Sequence, residues 1–139
     1  MKLGNMFQNR LMHRIVDKFK RNKMKKIVIK FNREPVCMGD DVYNDIYEIK
    51  MLGDATVYDL MNIIKSGGNG NEWPTPMGFD WIVYSNIGRL AKIYSNKMKI
   101  DFYDIAPRTK LSNLGIEWVY AARESDEVNV DKLEDVFSD

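Results

Sequence analysis

Residues 47–70 read YEIKMLGDATVYDLMNIIKSGGNG, and within them the apolar period changes from two to that of a helix. Tyr47, Ile49 and Met51 alternate with Glu48 and Lys50, the pattern of a strand with one face buried. Gly53 and Asp54 break it. Thr56 then stands three residues before Asp59, a hydroxyl at the N-cap position with an acid in the first turn. Val57, Leu60, Met61 and Ile64 mark one helical face, and Gly67, Gly68 and Gly70 stop the helix after about three turns. One strand, a capped helix and a glycine stop within 24 residues predict an α+β domain with a short helix against a sheet.

Working outward, Ile27, Ile29 and Phe31 alternate with Val28 and Lys30 as an earlier strand, with a turn expected over Asn32–Pro35 and an extended piece around Val36–Met38. After the helix, residues 67–79 form a long loop with four glycines, two prolines and Trp73, of a length that more often belongs to functional loops. Trp81–Tyr84 and Leu90–Tyr94 flank Asn86-Ile87-Gly88, a hairpin connection. Met98, Ile100 and Phe102 alternate after an Asn96-Lys97 turn. Asp104–Asn113 reads as a loop containing Pro107. Ile116, Trp118, Tyr120 and Ala122 share one side of a last strand, opposite Glu117, Val119 and Ala121. Asn129 is placed to cap a short acidic helix whose Leu133, Val136 and Phe137 would anchor the tail to the body.

Strand, strand, helix, then three or four strands is the element order of a β-grasp sheet. Thr56-Val57 followed by Asp59-Leu60 resembles the cap and opening turn of ubiquitin-like domains, and Leu111-Ser112-Asn113-Leu114-Gly115-Ile116 is similar to the tract before the last strand of ubiquitin. The resemblance spans residues 26–123 and implies a β-grasp-like mixed sheet of about five strands on one short helix, in a protein-binding fold that offers its sheet face. The chain departs from that family in the 67–79 loop and in an added hairpin. No Gly-Gly pair follows the last strand, so conjugation is not expected.

Charge divides the chain into three. Met1–Lys26 holds nine Lys or Arg and one Asp, net +8; Glu124–Asp139 holds seven acids and one Lys, net −6; the residues between hold eleven bases and twelve acids, net −1. The expected organisation is a basic arm over residues 1–25, a domain over 26–123 and an acidic tail over 124–139. In the arm, Phe7, Leu11, Ile15 and Phe19 recur every four residues while Arg10, Arg14, Lys18 and Arg21 fall mostly elsewhere, which predicts a basic amphipathic helix. Such a helix can lie on the body, join two copies into a homodimer, bind another protein, or meet an anionic membrane or nucleic acid. Nucleic acid is disfavoured as a ligand of the nearly neutral body.

Each class of catalytic chemistry needs particular residues close together, and acids from distant parts of the chain are the one set that could still converge in the fold. His13 is the only histidine, so a Ser-His-Asp or Cys-His site would have to use it, and it lies in the basic arm where a surface or packing role is expected; with Cys37 the only cysteine, one of each is too few for a zinc site and no internal disulfide can form. The glycines at 67, 68 and 70 follow a helix instead of a strand, and no Gly-Lys-Ser or Gly-Lys-Thr exists to cradle a phosphate. Asp40, Asp41 and Asp45 are the densest acids of the body, but adjacent acids on an extended chain point apart. No catalytic, cofactor or metal residue is expected. With no apolar stretch of membrane-spanning length and no export pattern in the segment given, a cytoplasmic location is the expectation.

Aromatic residues make up 12% of the chain and gather in its second half, where rings beside arginine are the usual anchors of protein interfaces. The expected partner-binding residues are Trp73, Trp81, Tyr84, Arg89, Tyr94 and Tyr103 in the body, with Arg10, Arg14, Lys18 and Arg21 in the arm. Two function classes follow. One is a non-enzymatic protein that docks onto or occludes a partner, such as a bacterial immunity protein neutralising a toxin, or an adaptor. The other is a nucleic-acid or anionic-surface binder acting through the arm, with a carboxylate-dependent enzyme as a third.

Overall fold

The computed structural model describes residues 25–34, 46–68, 72–73 and 79–138. These form β1 (Lys26–Arg33), β2 (Tyr47–Leu52), α1 (Val57–Ser66), β3 (Trp81–Ser85), β4 (Gly88–Ile93), β5 (Ile100–Phe102), a 3₁₀ turn (Leu111–Asn113), β6 (Trp118–Arg123) and α2 (Val130–Phe137). The arm expected over residues 1–25, the extended piece around Val36–Met38 and the acids Asp40, Asp41 and Asp45 lie outside the described residues, apart from Lys25.

The strands make one mixed sheet in the order β2-β1-β6-β3-β4-β5. β1 runs parallel to β6, with Lys30 opposite Trp118 and Asn32 opposite Tyr120, and every other neighbouring pair is antiparallel. An α+β mixed sheet was expected with about five strands and has six. The strand expected from the alternation of Met98, Ile100 and Phe102 is the three-residue β5, which pairs Ile100 with Ile93 and Phe102 with Ala91 and leaves Met98 fully exposed before its start. The turn expected at Asn32 begins later, because β6 pairs with Asn32 and Arg33 and keeps them extended.

α1 forms where Thr56 and Asp59 place it. The Thr56 hydroxyl accepts from the Asp59 N–H at 3.2 Å while the Asp59 carboxylate accepts from the Thr56 N–H at 3.0 Å. The next two donors are met from across the chain, Val57 N–H by the Thr109 carbonyl and Tyr58 N–H by that of Pro107, so the 107–111 segment closes the helix start. At the other end Gly67 takes the left-handed conformation, φ 86°, and the Gly68 N–H returns to the Ile63 carbonyl at 3.0 Å. Val57, Leu60, Met61 and Ile64 are buried against Ile29, Phe31, Trp81, Val83, Leu90 and Val119, which is the main core.

α2 follows its expected pattern as well. The Asn129 side chain accepts from the Asp131 N–H at 3.2 Å, and Leu133 and Phe137 are buried. It packs on Trp118, Tyr84 and Tyr120, outside the cluster that α1 covers. The sheet therefore has a helix on each face.

Ile116 departs from the expected alternation. β6 starts at Trp118, and before it the Asn86 side chain takes the place of a strand neighbour, donating to the Gly115 carbonyl at 2.9 Å and accepting from the Glu117 N–H at 2.7 Å. Freed from the pleat, Ile116 turns into the main core with Val119 and Ala121.

Candidate interaction surface

Side-chain parity and strand register divide the exposed chemistry between the two faces. The α1 face takes Ile29, Phe31, Ile49, Met51, Trp81, Val83, Val119 and Ala121, all of them buried. Two of the expected anchors are there. Trp73, 3% exposed, lies with its ring 4.6 Å from that of Phe31 and 5.2 Å from that of Tyr47, and its indole N–H donates to the Ile64 carbonyl at the end of α1. Trp81 is 1% exposed. Neither presents a surface to a partner. Trp73 sits in a loop by sequence but is carried inward because Gly67 and Gly68 reverse the chain, and the Glu72 and Trp73 N–H groups then both donate to the Gly67 carbonyl.

The opposite face carries the rest. Tyr84 stands opposite Tyr120 on β6 and opposite Arg89 on β4. The Arg89 position depends on a register shift between Val83 and Tyr84: Val83 pairs with Ala91 but Tyr84 with Arg89, so Leu90 is the extra residue. Leu90 and Ala91 both enter the core, and Arg89 is turned to the other face. Its guanidinium lies 4.7 Å from the centroid of the Tyr103 ring, a cation–π contact. Tyr84, Arg89 and Tyr103, separate in sequence, are thus brought to one end of the β3–β4–β5 surface.

Tyr94 stands on the same side at the other end of β4, about 16 Å along the strand from Arg89 at ~3.3 Å per residue. Its hydroxyl donates to the Asp101 carboxylate at 2.6 Å, and the Lys92 ammonium lies 4.7 Å from its ring. The Asp101 bond holds the Tyr94 hydroxyl above its ordinary pKa, and the same bond, with Lys99, holds Asp101 below the usual carboxylate range. Lys92 also pairs with Glu124 at 2.6 Å, which raises its pKa and ties β4 to the start of the C-terminal segment. Burial raises both Tyr84 and Tyr120.

Beside Arg89 the hairpin turn opens a cleft of about 550 Å³, lined by Ile87, Arg89, Phe102, Tyr103, Asp104 and Leu114 among others. Asp104, at φ 47°, is the one non-glycine residue in the left-handed region among the described residues, a strained conformation of the kind that clusters at binding sites. Exposed Ile87 and Arg89 with half-buried Tyr84 and Tyr103 give this end apolar area, planar stacking and fixed hydrogen-bond donors. Those are the groups that anchor protein interfaces.

Among the described residues no three His, Cys, Asp or Glu side chains gather closely enough to hold a metal ion, and no helix is long and apolar enough to cross a membrane. His13, Cys37, Arg10, Arg14, Lys18 and Arg21 lie outside the described residues. The acid pair of Glu34 and Asp126 is a feature of the folded chain. The Glu34 carboxylate accepts from the Arg123 N–H at 2.9 Å, and the Arg123 side chain lies 3.7 Å from Asp126. Burial, then the hydrogen bond with Asp126, pushes the Glu34 pKa up. No local signal marks this pair, since the parallel β1–β6 contact creates it. Compared with family models, with curated proteins and with solved structures, the chain matches none, so its surface is read from its own residues.

Proposed function

We propose that this chain is a non-enzymatic protein-binding domain that docks onto or occludes a partner protein through the β3–β4–β5 end of its sheet face. The observation that carries the reading is the stacked Arg89–Tyr103 pair beside Tyr84 at the mouth of a cleft. Arginine and tyrosine are the residue types that concentrate binding energy at interfaces, and stacking limits the rotamer entropy that an arginine loses on docking. The sheet order, with the first and last strands parallel and adjacent at its centre, supports a β-grasp, ubiquitin-like reading of the fold. A toxin-neutralising bacterial immunity protein or an adaptor, working in the cytoplasm, is the class that fits a compact docking surface of this kind.

The test is affinity capture from the native host with the full-length chain and with its Arg89→Ala/Tyr103→Ala variant. A specific protein retained by the first and released by the second is the expected result, with retention persisting as salt is raised. Equal retention by both proteins would refute the assignment of the surface. Capture that collapses with salt and brings down nucleic acid would assign the function to the basic arm, because counterion release makes phosphate binding steeply salt-dependent.

A further inference from the structure

We infer that the other half of this sheet face, together with α2, is a self-complementary surface that pairs two copies of the chain about a two-fold axis. The inference is independent of the Arg89–Tyr103 surface, which lies on the opposite side of α2.

The face away from α1 is stepped. α2 stands on β6 as a ridge, held by Leu133 and by Phe137, whose ring stacks on Trp118 at 5.0 Å between centroids and 16° between planes. Beside it the same face of β1 and β2 forms a shelf carrying Lys26, Val28 and Lys30 from β1 and Glu48, Lys50 and Leu52 from β2, as the register of the two strands requires. All six are exposed, and Val28 and Leu52 remain 49% and 51% exposed although they are diagonal neighbours on a sheet. A trough of about 470 Å³, lined by Val28, Lys30, Trp118, Glu134 and Phe137 among others, runs along the foot of the ridge.

Shelf and ridge are complementary in charge and in size. The shelf has three lysines against one glutamate; the exposed residues of α2 are Asp131, Glu134 and Asp135 against Lys132, with Val130 45% exposed. The shelf is two strands wide, about 10 Å at ~4.8 Å per strand, and a helix with its side chains is about 10 Å across. A two-fold rotation that sets the ridge of one copy on the shelf of the other necessarily does the same in reverse, so both contacts form together. The occupant is a second copy: the acidic α2 that matches the lysine-rich shelf is already seated on β6 of its own chain, so only the α2 of another molecule can cover it. Each shelf offers roughly 200 Å², so two shelves and two ridges bury on the order of 800 Å², which marks a weak, salt-sensitive dimer.

Sedimentation equilibrium of the full-length chain tests this, alongside two charge-reversed variants. One carries Lys26→Glu, Lys30→Glu and Lys50→Glu; the other carries Glu134→Lys and Asp135→Lys. All five positions are exposed, and the near-UV circular dichroism of the stacked Trp118 confirms that α2 stays seated in each. The wild type is expected to show a concentration-dependent dimer that dissociates as salt rises from about 0.05 M to about 0.5 M, where the screening length falls below ~5 Å. Each variant alone is expected to be monomeric, since like charges then meet at both contacts, and the equimolar mixture is expected to form a heterodimer in which both contacts again join opposite charges. A monomeric wild type, a variant that still dimerises alone, or a mixture that stays monomeric would each overturn the inference; the second result would move the dimer contact elsewhere.

Discussion

Gly68 and Gly115 both hold left-handed backbone, at φ 83° and 67°, yet they differ in what surrounds them. A Cβ on Gly68 would collide with the Glu72 carboxylate and come within 2.9 Å of the Trp73 ring, whereas one on Gly115 would meet nothing within 4 Å. Gly115→Ala is therefore expected to cost only the backbone strain, about 1 kcal/mol, and Gly68→Ala at least ~2 kcal/mol because Trp73 must also give way. Urea unfolding of the two variants checks this, and equal losses would contradict the packing described for Trp73. Glu34 makes a pH prediction. Its folded-state pKa is raised, so its contribution to stability is present below the unfolded value and is lost as pH rises through the folded one. Glu34→Gln removes that loss. The variant is expected to gain stability relative to wild type as pH rises above the ordinary carboxylate value, and a difference that stays constant with pH would sink the assignment. At this scale the Thr56–Asp59 cap was legible, since a hydroxyl and an acid three residues apart need only local geometry. Trp73 and Glu34 were not, because their partners Ile64, Phe31, Asp126 and Arg123 reach them only through the folded chain.

The two helices, both readable from their caps and apolar spacing, hold different places in the energetics. Leu60 is fully buried in the main core between α1 and the sheet, so Leu60→Ala is expected to cost about 3 kcal/mol of global stability through lost burial and a residual cavity. Phe137 belongs to a smaller cluster under one short helix. Phe137→Ala is expected to release α2, with a cost limited to its docking and hence nearer ~1 kcal/mol than the value for a core phenylalanine. A red shift in tryptophan fluorescence, from Trp118 alone, should accompany it at low denaturant, while Trp73 and Trp81 stay buried until global unfolding. A Phe137→Ala loss as large as that of Leu60→Ala would show that α2 belongs to the main cooperative unit. The alternation of residues 116–122 predicted a strand but carried Ile116 to the wrong side, since a pleat continues only while a neighbouring strand pairs with it. The bulge that turns Arg89 outward has the same origin: it exists in the pairing of β3 with β4, and neither strand shows it alone.

Across the whole molecule the strand order sets a gradient of stability. β1, β6, β3 and β4 lie inside the sheet, β2 and the three-residue β5 are its edges, and edge amides exchange through smaller openings. Native-state hydrogen exchange should therefore find the slowest amides in β6 and its two neighbours and the fastest strand amides in β5. Slow exchange across β5 would mean that a further strand, from this chain or another, covers that edge. Local spacing alone encodes a capped helix at 57–66, a hairpin at 81–93 and a capped acidic helix at 130–137. That Trp73 and Trp81 are core, that Tyr84, Arg89 and Tyr103 meet, and that α2 has a sheet face of its own follow from the folded chain and not from spacing. Periodicity records which side of an element is apolar, but which element covers that side is decided by the pairing of distant strands.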